Sequence, residues 1–211
     1  RYVMNKAINV DMGNQSIHSV KAILEIPHGQ YKVKGTNIFG SIYDEAEANV
    51  KTIGYKLIGN NSTIIWDVEN KDDNLFYFDN SITTPDVEDL EILVINSYAT
   101  SKSFIGNIFR ITAPQIAGLN YGDSSSGHYE KLRVVGFRNN KFVQTAPQSI
   151  FKIDGNVMCD QSLVINSSFI EFGKLFDSTN SQAVNWVFDR CGIHTSQEKA
   201  VIFNVEKCND N

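Results

Sequence analysis

Two consecutive stretches, Leu163 to Ala183 and Val184 to Cys208, read as one unit written twice. Leu163-Val164-Ile165-Asn166 answers Trp186-Val187-Phe188-Asp189, and Leu175-Phe176-Asp177 answers Ile202-Phe203-Asn204. The spacing is 23 residues for the first pair and 27 for the second, within the range of solenoid repeats. The same two words recur upstream. Leu93-Val94-Ile95-Asn96 and Arg133-Val134-Val135-Gly136 carry the first; Ile108-Phe109-Arg110, Ile150-Phe151-Lys152 and, more loosely, Leu75-Phe76-Tyr77 carry the second. Each word is short, β-branched or aromatic, and bounded by Gly, Asn, Ser, Asp or Pro, which is the pattern of a strand. Two alternating strand series, each in register with itself, predict stacked parallel strands: an all-β, single-stranded parallel β-helix.

A chain of 211 residues buries a substantial core without needing more than one domain. Its formal charge of -5 and lack of a basic stripe argue against a nucleic-acid partner. Asp67-Val68-Glu69-Asn70-Lys71-Asp72-Asp73 reads as a solvated loop, and Thr83 to Asp89 as another. Cys159, Cys191 and Cys208 are an odd number without CxxC spacing, so neither a disulfide framework nor a zinc site is expected. No apolar run reaches membrane-spanning length. The chain opens on Arg1 and stops directly after a strand word, so it reads as a piece of a longer protein. Residues 1–20 form the expected lead-in or cap over an open sheet edge, and residues 21–211 the β-helix.

Leu24-Glu25-Ile26-Pro27-His28-Gly29-Gln30-Tyr31 is a strand, a Pro-Gly turn and a second strand. It is followed by Tyr55-Lys56-Leu57-Ile58-Gly59-Asn60 and Ser62-Thr63-Ile64-Ile65-Trp66. This order resembles the opening of the pectate-lyase-like superfamily of right-handed β-helices, and within it bacteriophage tailspike and appendage proteins. The phrases cover residues 21–111; the repeat alone carries the remainder. The resemblance implies a right-handed coil, a virion-tail location that is extracellular when acting, and a homotrimer among other tail proteins. It also implies a host-surface polysaccharide as ligand, bound with or without depolymerisation. A fold shared by lyases, hydrolases and adhesins does not choose between them.

Strand alternation places Phe109, Phe151, Phe176 and Phe203 inside, with Arg110, Lys152, Asp177 and Asn204 on the opposite face. In the first word Val94, Val134, Val164 and Val187 suit the interior. Their neighbours Leu93, Ile95, Val135, Leu163, Ile165, Trp186 and Phe188 then form an apolar strip outside. Strands apolar on both faces are normally covered on both, which calls for a partner surface or for a covering segment from residues 1–20.

Carbohydrate-cleaving sites use two carboxylates, one as acid and one as base or nucleophile. Asp177, Glu171 and Asp189 are the candidate catalytic carboxylates; Arg110, Lys152, Tyr121, Tyr129 and Arg190 are the candidate ligand-binding groups. The competing reading of Asp177 beside Lys152 is an ordinary surface ion pair. Tyr121, His128, Tyr129 and Glu130 flank the long excursion from Ala113 to Lys131, where aromatics either stack on sugars or pack the loop down. Asn96, Asn166 and Asp189 share one turn position, best read as a ladder satisfying turn backbone. Gly122-Asp123-Ser124 matches the short SGNH-esterase motif, but no Asp-x-x-His accompanies it. No nucleotide-binding or metal motif is present, and the four histidines are scattered, so no cofactor or metal is expected. The alternatives to a tailspike domain are a secreted polysaccharide lyase or glycoside hydrolase, bacterial or fungal, and a non-catalytic structural β-helix of a phage tail. The acceptor patterns Asn14-Gln15-Ser16, Asn61-Ser62-Thr63 and Asn166-Ser167-Ser168 favour the fungal version only for a eukaryotic source.

Overall fold

A computed structural model describes residues 21–40, 42–44, 49–51, 54–79, 85–97, 103–112, 122–123, 126–136, 145–155, 157–180, 183, 185–196 and 199–206. These are all-β, with parallel sheets and no helix among them. The expected lead-in, Tyr121 and Cys208 lie outside the described residues.

The chain alternates between two large sheets and, among the described residues, also forms three two-stranded ones. It runs through β1 (Lys21–Glu25), β2 (Gln30–Lys34) and β3 (Ile38–Gly40), then a small antiparallel pair, β4 (Ile42–Asp44) and β5 (Asn49–Lys51). The next level is β6 (Gly54–Asp67) and β7 (Asn74–Asp79); the third is β8 (Pro85–Ile95), β9 (Ser103–Phe104), β10 (Asn107–Thr112) and β11 (Gly122–Asp123). The fourth is β12 (His128–Val135), β13 (Thr145–Ala146), β14 (Ser149–Ile153) and β15 (Val157–Met158). Then come β16 (Leu163–Ile165), β17 (Ser168–Ile170) and β18 (Lys174–Ser178), and last β19 (Val187–Asp189), β20 (Gly192–His194) and β21 (Val201–Val205). The first sheet holds nine strands along the path β1-β6-β8-β12-β16-β19, with β2, β17 and β20 paired beside it. The second runs β21-β18-β14-β10-β7-β3.

The second word keeps the register expected from sequence. Phe109 lies opposite Phe76 and Phe151, Phe151 opposite Phe176, and Phe176 opposite Phe203. Ring centroids of Phe76 and Phe109, and of Phe109 and Phe151, are 5.1 Å apart and nearly parallel. Such stacks follow from strands about 4.8 Å apart carrying the same residue at the same position. Phe203 continues the ladder but is 55 % exposed. The alternation is not as clean as expected, because Ile108, Ile150 and Leu175, of the opposite parity, are also buried.

The first word does not stack on itself as expected: Leu93 pairs with Val135 and Arg133 with Ser168, and the last two copies are displaced by one residue. Leu163-Val164-Ile165 pairs with Val187-Phe188-Asp189, not with Trp186-Val187-Phe188. A slip of one residue exchanges the faces of a strand. Val187 therefore points outward, 52 % exposed. Phe188 instead continues an inner row of Leu24, Leu57, Val87, Tyr129 and Val164. Trp186 also turns inward: its ring lies 5.3 Å from Phe151 and 5.1 Å from Phe176, and its Nε1 donates to the Cys159 carbonyl at 2.9 Å. Indole packs well in a core when its N–H finds an acceptor. The outward apolar strip thus loses Trp186 and Phe188. What remains is the row Ile65, Leu93, Val135 and Ile170, and it is not the exposed strip expected, since Leu93 and Val135 are each only 8 % exposed in the single chain.

The acidic stretch 67–73 is not simply solvated. Asp67 is 1 % exposed, accepts from the Ser97 N–H and hydroxyl, and pairs with Lys32 Nζ at 2.9 Å. Asp73 accepts from the N–H groups of Glu69 and Asn70 and closes that turn. Both carboxylates satisfy backbone that no ladder reaches.

Candidate functional site

The polar row expected on the outer side of the second sheet is assembled. Tyr77, Arg110, Lys152, Asp177 and Asn204 lie on successive strands in one register. Its charges are taken up by neighbours outside the row, Asp154 and Lys174. Arg110 Nε and Nη2 donate to Asp154 at 3.0–3.2 Å, with the guanidinium 5.3 Å above the Tyr77 ring centre. Lys152 Nζ is 3.9 Å from the same carboxylate. Asp177 departs from its expected exposed place: it is 6 % exposed and pairs with Lys174 Nζ at 2.8 Å, not with Lys152. Asn204 Nδ2 and Ser149 Oγ complete its shell.

The other predicted site residues do not join this row. Glu171 sits in the turn between β17 and β18 and accepts from the Ser196 N–H. Asp189 and Arg190 form an exposed pair at 3.0 Å on the first sheet. Tyr129, expected as a loop aromatic for sugar stacking, is fully buried on β12 between Phe109, Phe151 and Trp186. The Ala113–Lys131 excursion ends earlier than read, because His128 to Lys131 belong to β12. His128 and Glu130 face outward, which sends Tyr129 inward.

Burial alone would raise the carboxyls of Asp67 and Asp177. In Asp67 the Ser97 hydroxyl, Lys32 and the Ser97 N–H outweigh it, and in Asp177 Lys174, Asn204 and Ser149 do. Both groups therefore sit below the ordinary carboxylate value. A depressed folded-state value contributes stability above the unfolded-state value, near pH 4, and that stability is lost as pH falls through the folded one. Wild type should thus lose stability as pH falls below about 4. An Asp67→Asn, Asp177→Asn variant, followed by urea denaturation, should show a flatter acid limb; an identical limb would remove both groups from the account.

A second polar feature lies on the outer face of the first sheet. Asn61, Thr63, Asp89, Leu90, Glu91, Lys131 and Arg133 line an open groove of about 270 Å³ crossing β6, β8 and β12. It follows a bend that the alternation of apolar residues hides. In β8, Val87 and Leu90 are both buried with Glu88 and Asp89 between them. Asp89 is therefore an inserted residue, held at φ 60°. Gly59 to Asn61 oppose it on β6, where the pairing shifts register, and Asn60 and Asn61 are also left-handed. Lys131 (φ 51°) occupies the same bend in β12, Asn166 (φ 52°) between β16 and β17, and Arg190 (φ 51°) between β19 and β20. The expected ladder of Asn96, Asn166 and Asp189 is replaced by this row. Asn166 alone keeps a place in it, since Asp189 pairs with Ile165 and Asn96 follows β8.

Beside the bend runs a second row, Thr63, Glu91, Arg133, Ser168 and Gly192. Thr63 Oγ1 donates to Glu91 Oε2 at 3.0 Å, Arg133 Nη1 donates to Glu91 Oε1, and the Asn61 N–H donates to Asp89 Oδ2 at 3.0 Å. Lys131 is 62 % exposed and reaches only Glu130, at 3.7 Å. The groove thus offers carboxylate, hydroxyl, amide and cation within one depression. The signal missed in the sequence is the spacing of Val87 and Leu90, odd for a strand and explained by one inserted left-handed residue.

Among the described residues no group of three or more His, Cys, Asp or Glu could hold a metal ion, and no helix is long and apolar enough to cross a membrane. Comparison with protein-family models, with curated proteins and with solved structures finds no match for the chain.

Proposed function

We propose that residues 21–211 form a right-handed, single-stranded parallel β-helix that binds a host-surface polysaccharide, as a domain of a bacteriophage tailspike or appendage. Alternation between two parallel sheets, each strand paired with its counterpart one level on, supports the solenoid reading. The observation that carries the binding reading is the groove over β6, β8 and β12. Sugar hydroxyls donate and accept, and this depression presents both acceptors and donors on a rigid sheet. The row containing Arg110, Lys152 and Asp177 suits the role less, because Asp177 is buried and both cations face Asp154. Association of three copies about an axis follows from the tailspike resemblance; the outer apolar row adds little to it, because Leu93 and Val135 are already buried within the single chain and Ile65, Ile170, Leu163 and Ile165 are half-buried. In that setting the domain works on a virion tail, outside the cell, among other tail proteins.

A second reading, cleavage of the bound glycan, is favoured by one feature: Asp89 and Glu91 bring two carboxylates to the same groove. One experiment addresses both. Purified bacterial capsular polysaccharides and lipopolysaccharide O-chains are immobilised, and retention of the chain is followed by interferometry. Retention is expected, with roughly tenfold or greater weakening in Glu91→Ala and Arg133→Ala. Undiminished retention in both variants would sink the groove as the binding site. Release of new reducing ends or unsaturated ends separates cleavage from binding. Light scattering on the same preparation tests the trimer, expected at three times 23.7 kDa.

A further inference from the structure

The groove belongs to a longer feature. Left-handed bend residues recur on five successive levels, from Asn61 through Asp89, Lys131 and Asn166 to Arg190. The bend residue is exposed at every level except Asp89, which is half-buried. The neighbouring row is polar on four levels, Thr63, Glu91, Arg133 and Ser168, and ends in Gly192, which adds no side chain. Together they make a straight polar track perpendicular to the strands, unbroken by any outward apolar side chain in either row.

Two of the five bend positions hold residues poorly suited to them. Asparagine and aspartate tolerate the left-handed region, and glycine occupies it freely; long cationic side chains do not. Lys131 and Arg190 hold it nonetheless. Strain kept where glycine would remove it points to a use for the side chain. Both are more than half exposed, at 62 % and 64 %, and Lys131 makes only a long ion pair.

We infer that this track binds a linear polysaccharide lying along the stacking direction, with one sugar over each of the five levels and Lys131 and Arg190 as ligand-contacting cations. The inference rests on the polysaccharide reading above and sets the ligand's direction and length. The spacing between levels, about 4.8 Å, is close to the advance of one sugar along an extended chain. A polymer so placed meets a fresh pair of polar side chains at each of four levels and Arg190 alone at the fifth, so affinity accumulates with length as in any multivalent contact.

The test uses a size-graded series of oligosaccharides prepared from whichever polysaccharide the wild-type chain retains, titrated calorimetrically. Affinity is expected to climb with each added sugar and to level off at about five, one for each level of the track. Lys131→Gly and Arg190→Gly should each weaken the longest oligosaccharides by about tenfold. Because glycine relieves the left-handed strain, their melting temperatures should be kept or raised, which separates lost contacts from lost fold. A plateau at two or three sugars, or wild-type affinity in both glycine variants, overturns the track and leaves the polysaccharide reading standing. If wild type retains no polysaccharide at all, both fall.

Discussion

Phe151→Ala is expected to lower the unfolding free energy by about 3–5 kcal/mol, the cost of deleting a large, fully buried aromatic side chain. Phe151 is 0 % exposed. Its ring lies within 5.3 Å of Phe109, Tyr129 and Trp186 and within 6.1 Å of Phe169 and Phe188. It joins both sheets at mid-stack, so the cavity cannot close without moving several rings. Phe203 holds the same register position two levels on but is 55 % exposed. Phe203→Ala should therefore cost about 1 kcal/mol or less. Urea denaturation of the two variants measures the contrast. Equal costs would mean that the ladder does not pass through the core in this register.

Gly106→Ala is the second large effect, and it comes from backbone and space together. Gly106 has φ 71°, where an L side chain costs about 1–2 kcal/mol. A Cβ there would stand 2.7 Å from Trp66 Cη2 and 3.0 Å from both the Asp73 carbonyl and Val68 Cγ1. Trp66 is fully buried and held by its Nε1 bond to the Gly35 carbonyl, so it has no room to withdraw. Overpacking adds about 1–3 kcal/mol, for a total of roughly 2–5 kcal/mol. Gly35 is the control. Its φ is 56° but nothing lies within 4 Å of its Cβ position, so Gly35→Ala should show only the backbone cost of about 1–2 kcal/mol. If the two substitutions cost the same, the close approach of Gly106 to Trp66 is not a feature of the folded chain.

The candidate site was less legible than the core. Arg110, Lys152 and Asp177 could be aligned from their phenylalanine neighbours, and they do share one row. Whether a carboxylate in such a row is open or sealed depends on residues far along the chain. Asp177 is sealed by Asn204, by Ser149 and by Lys174, and only the last is near it in sequence. The groove over β8 escaped notice for a different reason. Asp89 interrupts the alternation of Val87, Leu90, Ile92 and Val94, and an interrupted alternation reads as a loop followed by a shorter strand.

Sequence by itself determined that the described residues are all-β, that the strands of the two large sheets are parallel, and that Phe109, Phe151, Phe176 and Phe203 form one ladder. Those conclusions need only short-range alternation and its recurrence, because a strand shows its two faces in adjacent residues. Tertiary structure alone decided the register of the first sheet, the inward turn of Tyr129, Trp186 and Phe188, and the row of left-handed bends from Asn61 to Arg190. A single residue in that conformation leaves no compositional mark when it is Asp, Lys or Arg, yet it resets which face every following side chain takes. Its position is chosen by which strand pairing buries the most apolar surface across levels 24 to 42 residues apart, as between Leu163 and Val187 or Asp86 and His128, and that is a property of the stacked chain.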